Sequence, residues 1–303
     1  MHHLELQGVS KAFGTVQAVR ELSFTVPRGA IYGFLGPNGA GKTTTIRMIM
    51  RIVLPDQGTI LLDGEPVDDR RRELIGYLPE ERGLYRKMHV LEHLAFLGEV
   101  RGLDRQEARA RATAWLERLG LAEKGKAKVE ALSKGMQQKV QFAAAVIHDP
   151  QLVILDEPFT GLDPIATRQF KDEILAMGKR GVTVVFSTHV LPQAEELCTH
   201  LCLINRGRAL FHGPMEEVRR RYVRPQLKVV TADGHPPPSG LPGVHQVEPR
   251  NGHFLLHLDG TQPSHRVLAE VASRCAVAAI EEFQPNLEEI FLRAVEEDHV
   301  SLA

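Results

Sequence analysis

Three cysteines among 303 residues are too few for a disulfide framework, and their positions lack the spacing of a metal site. Cys198 and Cys202 stand four apart across an expected change from helix to strand, and Cys275 stands alone. All three read as buried, reduced thiols, the usage of a reducing cytosol. No apolar run approaches the ~18 residues that a membrane span needs. The opening Met1-His2-His3-Leu4-Glu5 has no signal-peptide core, so the expectation is a soluble chain. Net charge is nearly absent as well, with 37 Lys+Arg against 38 Asp+Glu, which speaks against binding nucleic acid by bulk charge. There is one tryptophan, no internal repeat and no low-complexity tract. What remains is an ordinary globular composition, 43% hydrophobic and 25% charged, which excludes disorder.

The length exceeds what one core usually fills, and the charge is unevenly spread. Residues 224–303 carry 6 Lys+Arg and 11 Asp+Glu, on a mildly basic body. Two domains are expected, a large one over 1–223 and a small one over 224–303.

The informative stretch is Gly36-Pro37-Asn38-Gly39-Ala40-Gly41-Lys42-Thr43-Thr44. It follows the apolar run Ala30 to Leu35 and precedes the helical pattern Ile46 to Met50. Strand, glycine loop and helix in that order make this a P-loop, G-x-x-x-x-G-K-[ST]. Side chains at Gly36, Gly39 and Gly41 would keep the main chain from closing on phosphate oxygens, and the helix starting near Lys42 aims its free N–H groups at the anion. Lys42 would reach the β- and γ-phosphates, Thr43 would ligate Mg²⁺, and Thr44 would add a second hydroxyl.

Before the loop, Leu4–Val9 and Leu22–Val26 alternate as half-buried strands do. Phe13, on the intervening segment, is either a core residue or an aromatic that stacks on a base. Residues 86–150 read as mainly helical. Val90–Val100 forms one helix, and Asp104 with Glu107 caps a second whose buried face is Ala108, Ala112, Trp115 and Leu119. Ser133 stands at the N-cap of a third. Leu152–Leu155 is continuously apolar, as a central parallel strand is, and ends in Asp156-Glu157. Carboxylates at that end need a metal or a partner. Asp156 is expected near Mg²⁺ and Glu157 beside the attacking water. Asp163-Pro164 caps the next helix. The strand after it, Val182–Phe186, delivers Ser187, Thr188 and His189 to the same end of the sheet, where His189 is a candidate functional group.

In the second unit, strands over 227–231, 244–247, 254–258 and 276–280 alternate with helices over 264–274 and 286–296. Its six histidines are irregularly spaced and read as a solvated surface rather than a metal site.

Taken together, residues 4–222 resemble the ATP-binding subunit of an ATP-binding cassette (ABC) transporter. The resemblance rests on Gly36–Thr43 as Walker A, Leu132–Gln138 at the signature, Leu152–Glu157 as Walker B, Gly161-Leu162-Asp163 as D-loop and His189 as the switch histidine. It implies an α/β fold: a P-loop NTPase core with an antiparallel β subdomain and a helical subdomain, here followed by a small α+β C-terminal domain. It implies ATP and Mg²⁺ as cofactors, ATP hydrolysis, and a homodimer or cassette pair. In that pair, ATP lies between Walker A of one subunit and Ser133, Lys134, Gly135 and Met136 of the other. It implies a separate membrane permease, with the chain cytoplasmic and peripheral on the inner face of the membrane, no nucleic acid partner, and adenine stacking for Phe13.

Two stretches depart from the family pattern. The signature reads Leu-Ser-Lys-Gly-Met where LSGGQ is usual. Glu80 stands where the Q-loop glutamine is expected, a carboxylate able to ligate Mg²⁺ or order water but bringing negative charge toward the γ-phosphate. The wording Tyr77 to Tyr85 and the ending Pro285 to Phe291 resemble bacterial exporter subunits of the sodium-efflux and drug-resistance type. Two rivals are weighed. A nucleic-acid-acting member of the family would need a second cassette or a long coiled coil between Lys42 and Asp156, and the interval has room for neither. A non-hydrolysing regulatory module would have no use for an intact Glu157.

Overall fold

The computed structural model describes residues 2–81 and 83–301. Its contacts divide the chain into one unit up to Met215, joined by the last residues from Ala294, and a second unit, Glu216–Arg293.

The first unit opens with a long antiparallel ribbon, β1 (His2–Phe13) and β2 (Val16–Pro27). The ribbon is longer than alternation alone suggests, because repeated register shifts absorb the irregular Ser10–Phe13 stretch without ending the pairing. Then come β3 (Ile31–Leu35), the P-loop and α1 (Lys42–Ile49). β4 (Gln57–Leu62) turns at Asp63-Gly64 into the short β5 (Glu65–Pro66), and a single helical turn, α2 (Asp69–Arg72), leads to β6 (Ile75–Leu78).

The helical region holds α3 (Val90–Val100), α4 (Arg105–Arg118), two single-turn 3-10 helices and α5 (Lys134–Val146). Asp104 caps α4 through the Glu107 N–H at 2.8 Å. On α4 the buried residues are Ala108, Ala112 and Leu116, while Trp115 is half-buried, its ring edge-on to Phe142 at 5.9 Å. Then follow β7 (Leu152–Asp156), α6 (Pro164–Lys179), β8 (Thr183–Thr188), α7 (Leu191–Leu197), β9 (His200–Asn205) and β10 (Arg208–Pro214).

Two sheets result. The antiparallel one runs β2-β1-β4-β5, and the main one runs β10-β9-β3-β8-β7-β6, parallel throughout except at the β9–β10 hairpin. Leu4, Leu6, Phe24, Tyr32, Phe34, Ile46 and Ile154 belong to one buried cluster shared by both sheets and α1. Phe24 stacks on Tyr32 at 5.5 Å within it. β3, β7 and β8 are buried along their whole length, as strands covered on both faces must be. The P-loop strand and the Walker-B strand are not adjacent: β8 lies between them.

α8 (Met215–Tyr222) leads into the second unit, a four-stranded antiparallel sheet ordered β12-β13-β11-β14. Its strands are β11 (Gln226–Thr231), β12 (Val244–Arg250), β13 (His253–Leu258) and β14 (Val277–Glu282). Helix α9 (Ser264–Arg274) sets Val267 and Val271 against Leu227, Val229 and Leu256 in a separate small core. α10 (Leu287–Ser301) closes the chain.

Candidate functional site

The P-loop begins where β3 ends, and Lys42 is the first residue of α1 behind a left-handed Gly41. The glycines serve different ends than close approach to phosphate alone. A Cβ on Gly36 would lie 2.2 Å from the Ile204 carbonyl oxygen, and one on Gly41 would lie 2.6 Å from that of Ala18. Those two are therefore demanded by the protein packed beneath the loop. A Cβ on Gly39, at φ +78, would meet nothing within 4 Å. Gly39 is thus the position of the three where backbone geometry alone requires glycine, since Gly41, at φ +105, faces both demands.

Lys42 is only 6% exposed. Its Nζ donates to the carbonyls of Gly36 at 2.8 Å and Pro37 at 3.2 Å and lies 3.7 Å from Glu157 Oε1. Burial pulls its pKa down, and the Glu157 and Asp156 carboxylates oppose that shift. Glu157 is 8% exposed and sits at φ +48, a strained conformation for a residue with a side chain. Its N–H donates to Ser187 Oγ at 3.0 Å, and the Ser187 hydroxyl in turn donates to Asp156 Oδ1 at 2.5 Å. β8, lying between β3 and β7, thus fixes both acids from its own tip. Two residues on, His189 Nδ1 lies 2.9 Å from Glu157 Oε1.

Asp156 is fully buried, and burial pushes its carboxyl up against the lowering effect of the Ser187 and Thr43 hydroxyls. Its Oδ2 has no hydrogen-bond partner. A buried carboxylate oxygen left over beside a threonine hydroxyl is the donor set a hard divalent cation takes, so Thr43 and Asp156 fit Mg²⁺.

A cleft of about 570 Å³ joins these groups, lined by Asn38, Gly39, Gly41, Lys42, Thr43, Thr44, Glu80, Glu157 and His189. Gly36, Pro37 and Ala40 belong to the loop without lining the cleft, and Ala40 is buried in the core. Glu80 is exposed at the mouth. Arg20, Thr160 and Arg206 also line the cleft and were not singled out from sequence. Arg206 sits at φ +48 in the tip of the β9–β10 hairpin, which is joined to the loop by Gly207 N–H to Ala40 O (2.9 Å) and to β2 by Arg20 N–H to Gly207 O (2.8 Å). The turn signal Asn205-Arg206-Gly207 is plain in the sequence, but its distance from the P-loop is not.

The remaining predicted residues lie elsewhere. Phe13 ends β1 opposite Val16 and is 51% exposed, so it is neither core nor on a free loop; Lys11 Nζ lies 5.6 Å from its ring centroid. Val16, Gln17 and Ala18, just past the same hairpin turn, do line the cleft. Ser133 caps α5, accepting from Met136 N–H at 3.3 Å, and Asp163 caps α6, accepting from Ala166 N–H at 2.8 Å. Ser133 and Lys134 are exposed, with Gly135 and Met136 half-buried, and none of the four lines the cleft. A Cβ on Gly135 would lie 3.7 Å from Leu162, so the signature and D-loop stretches adjoin. Cys198 and Cys202 are buried, whereas Cys275 is half-buried.

A family model described as ABC transporter matches residues 19–160, and one for the C-terminal domain of DrrA1-3-like ATP-binding proteins matches residues 213–295. An uncharacterized ABC transporter ATP-binding protein of Bacillus subtilis is 36% identical over 292 residues, covering 96% of this chain and 98% of its own. The Nod factor export ATP-binding protein I of a Rhizobium species is 35% identical, covering 96% of both chains. Among solved structures, an ATP-binding subunit of an ABC transporter superposes with a TM-score of 0.68 at 32% identity, over 72% of this chain and 92% of that one. A dimeric cassette bound to ADP and Pi shares the fold, with a TM-score of 0.64 at 22% identity over 70% of this chain and 98% of its own.

Proposed function

The chain belongs to the ATP-binding subunits of ABC transporters, and from that premise we propose that it hydrolyses ATP to drive export through a separate membrane permease. The observation that carries the proposal is the meeting of Lys42, Glu157 and His189 in one cleft, with one Glu157 oxygen in reach of both the ammonium and the imidazole.

Main-chain N–H groups of the loop and the start of α1 grip the phosphates, and Lys42 neutralises the β- and γ-oxygens. Thr43 and Asp156 would hold Mg²⁺, which would supply stabilisation of negative charge on the phosphates. Glu157 takes the proton of the attacking water while His189 keeps its carboxylate aimed. Phe13 stacks on the adenine from the hairpin end. Glu80 orders water or metal at the γ-phosphate end.

Ser133, Lys134, Gly135 and Met136 do not line the cleft of their own chain, which supports their service to the nucleotide of a second cassette. Asp163 stands beside them at the same interface. The permease would bind the face where Ile52, Leu74 and Val100 are each more than half exposed, beside a groove lined by Met50, Leu97 and Arg101. That contact would bring the chain to the inner surface of the membrane; no helix among the described residues is long and apolar enough to cross it. Residues 1–223 would form the cassette and 224–303 an accessory domain.

Purified protein with Mg²⁺ should release phosphate from ATP, and Lys42→Ala should lower ATP affinity by about 10- to 100-fold, the worth of a charged hydrogen bond or two. Unchanged ATP binding by that variant would refute the assignment of the loop.

A further inference from the structure

Helix α5 engages more than its own cap. Gln138 and Gln141 are three apart on one helical face and only 3% and 5% exposed, unusual for a long polar side chain. Gln141 Nε2 donates to the carbonyls of Pro79 at 2.9 Å and Glu81 at 3.2 Å, the two that bracket Glu80. Gln138 Nε2 donates to the carbonyl of Pro158 at 3.1 Å, one residue beyond Glu157. One helix therefore holds both loops whose carboxylates enter the cleft. Gln141 Oε1 is buried and has no hydrogen-bond partner among the described residues. An unpaired buried acceptor is destabilising, and leucine or methionine would fill similar space without it. Packing alone does not account for the amide.

The other end of the same helix begins at Ser133, which is exposed. The helical rise of 1.5 Å per residue sets Gln138 about 7 Å and Gln141 about 12 Å along the axis from that cap. No flexible joint intervenes, since α5 is continuous from Lys134 to Val146.

We infer that α5 couples the two nucleotide sites of a cassette pair, with Gln138 and Gln141 as positioning residues. A γ-phosphate of the opposite cassette, seated at Ser133, biases the placement of α5. The two glutamines transmit that bias to the 79–81 loop and to Pro158, and so set Glu80 and Glu157 in the helix's own site. The inference rests on the reading above, in which Ser133 faces a second cassette's nucleotide. Neither glutamine lines the cleft; each acts through a neighbouring backbone carbonyl. A rigid element anchored at both sites is one physical route by which coupling between them can run.

The test is a set of double-mutant cycles in the full chain, with ATP hydrolysis and ATP affinity measured separately. Gln141→Leu gives up two donated hydrogen bonds and should lower the thermal midpoint modestly, while leaving ATP affinity nearly unchanged and lowering kcat by about 2- to 30-fold, the range of such couplings. The loss should vanish in a Glu80→Ala background, where the group being positioned is gone. Ser133→Ala and Gln141→Leu should combine less than multiplicatively. Should Gln141→Leu fail to fold, Gln141→Asn keeps the amide but shortens its reach by one carbon, and should show the same kcat loss confined to protein that retains Glu80. Fully multiplicative losses in both cycles, or an unaltered kcat in Gln141→Leu, would overturn the coupling and leave hydrolysis standing. A wild-type protein that hydrolyses no ATP would instead overturn the functional reading.

Discussion

His189 Nδ1 meets Glu157 Oε1 at 2.9 Å, joining the tips of β8 and β7 above the nucleotide cleft. The same oxygen lies 3.7 Å from Lys42 Nζ, so one carboxylate atom is held between an imidazole and an ammonium. The acid is oriented from two directions and, through Ser187, braced from behind. A group held in this way suits proton transfer from a water whose position is set by bound phosphate.

Glu157→Gln preserves shape and removes the base. Phosphate release should fall by about 10²- to 10⁴-fold, with ATP affinity retained and an ATP-bound dimer accumulating. Size-exclusion chromatography with ATP and a phosphate-release assay measure the two effects. Normal turnover by this variant would exclude Glu157 as the base.

Arg206 stands on a turn fixed to Ala40 of the P-loop and, through Gly207, packed on Ala18, which lines the cleft with it. There its guanidinium would serve the ribose and α-phosphate, parts common to ATP and ADP. Arg206→Ala should therefore weaken both nucleotides equally, by about 3- to 30-fold for one charged hydrogen bond. Titration of a fluorescent nucleotide analogue, with ATP and ADP as competitors, checks this. A loss for ATP alone would place the guanidinium at the γ-phosphate instead.

Two histidines of the helical region should contribute to the acid side of the stability profile. His93 is fully buried without a hydrogen-bond partner, and burial lowers its pKa to about 4. His148 is lowered to about 4 by burial and, secondarily, by Arg101 and Arg111. Unfolded histidine titrates near 6.5, so between that value and 4 the unfolded chain binds more protons than the folded one. The stabilisation is full above about pH 6.5 and is lost as pH falls toward 4. The thermal midpoint should drop steadily from pH 7 to pH 4.5, and less steeply in His93→Leu. Parallel profiles for the two proteins would remove His93 from this role.

Much of this site was legible because its chemistry is local. The P-loop needs consecutive donors and one lysine, and Asp156-Glu157 needs only the end of an apolar strand. Helices over 90–100 and 264–274 begin and end as their periodicity indicates, since apolar spacing and end signals agreed there.

What escaped the sequence depends on contacts between distant segments. Gln141 looks like any polar residue of an amphipathic helix until the 79–81 loop is laid against it. Gly36 and Gly41 look like phosphate glycines, yet Ile204 and Ala18 are what exclude side chains there. The strand expected over 244–247 runs on through Pro249 to Arg250, because β12 is an edge strand where a missing N–H is tolerated, and the hairpin turns at Asn251-Gly252.

The hairpin tip at Arg206 has the marks of a convenient grafting point, being exposed, polar and far in sequence from every motif. Yet a Cβ on Gly207 would strike the Ala18 carbonyl oxygen at 2.7 Å, and the Gly207 amide is the tether of Ala40. A peptide tag or fluorophore inserted there would pull on the underside of the phosphate loop. Surface labelling of this protein should avoid 205–208, since a probe so placed would report on a nucleotide grip that it had itself disturbed.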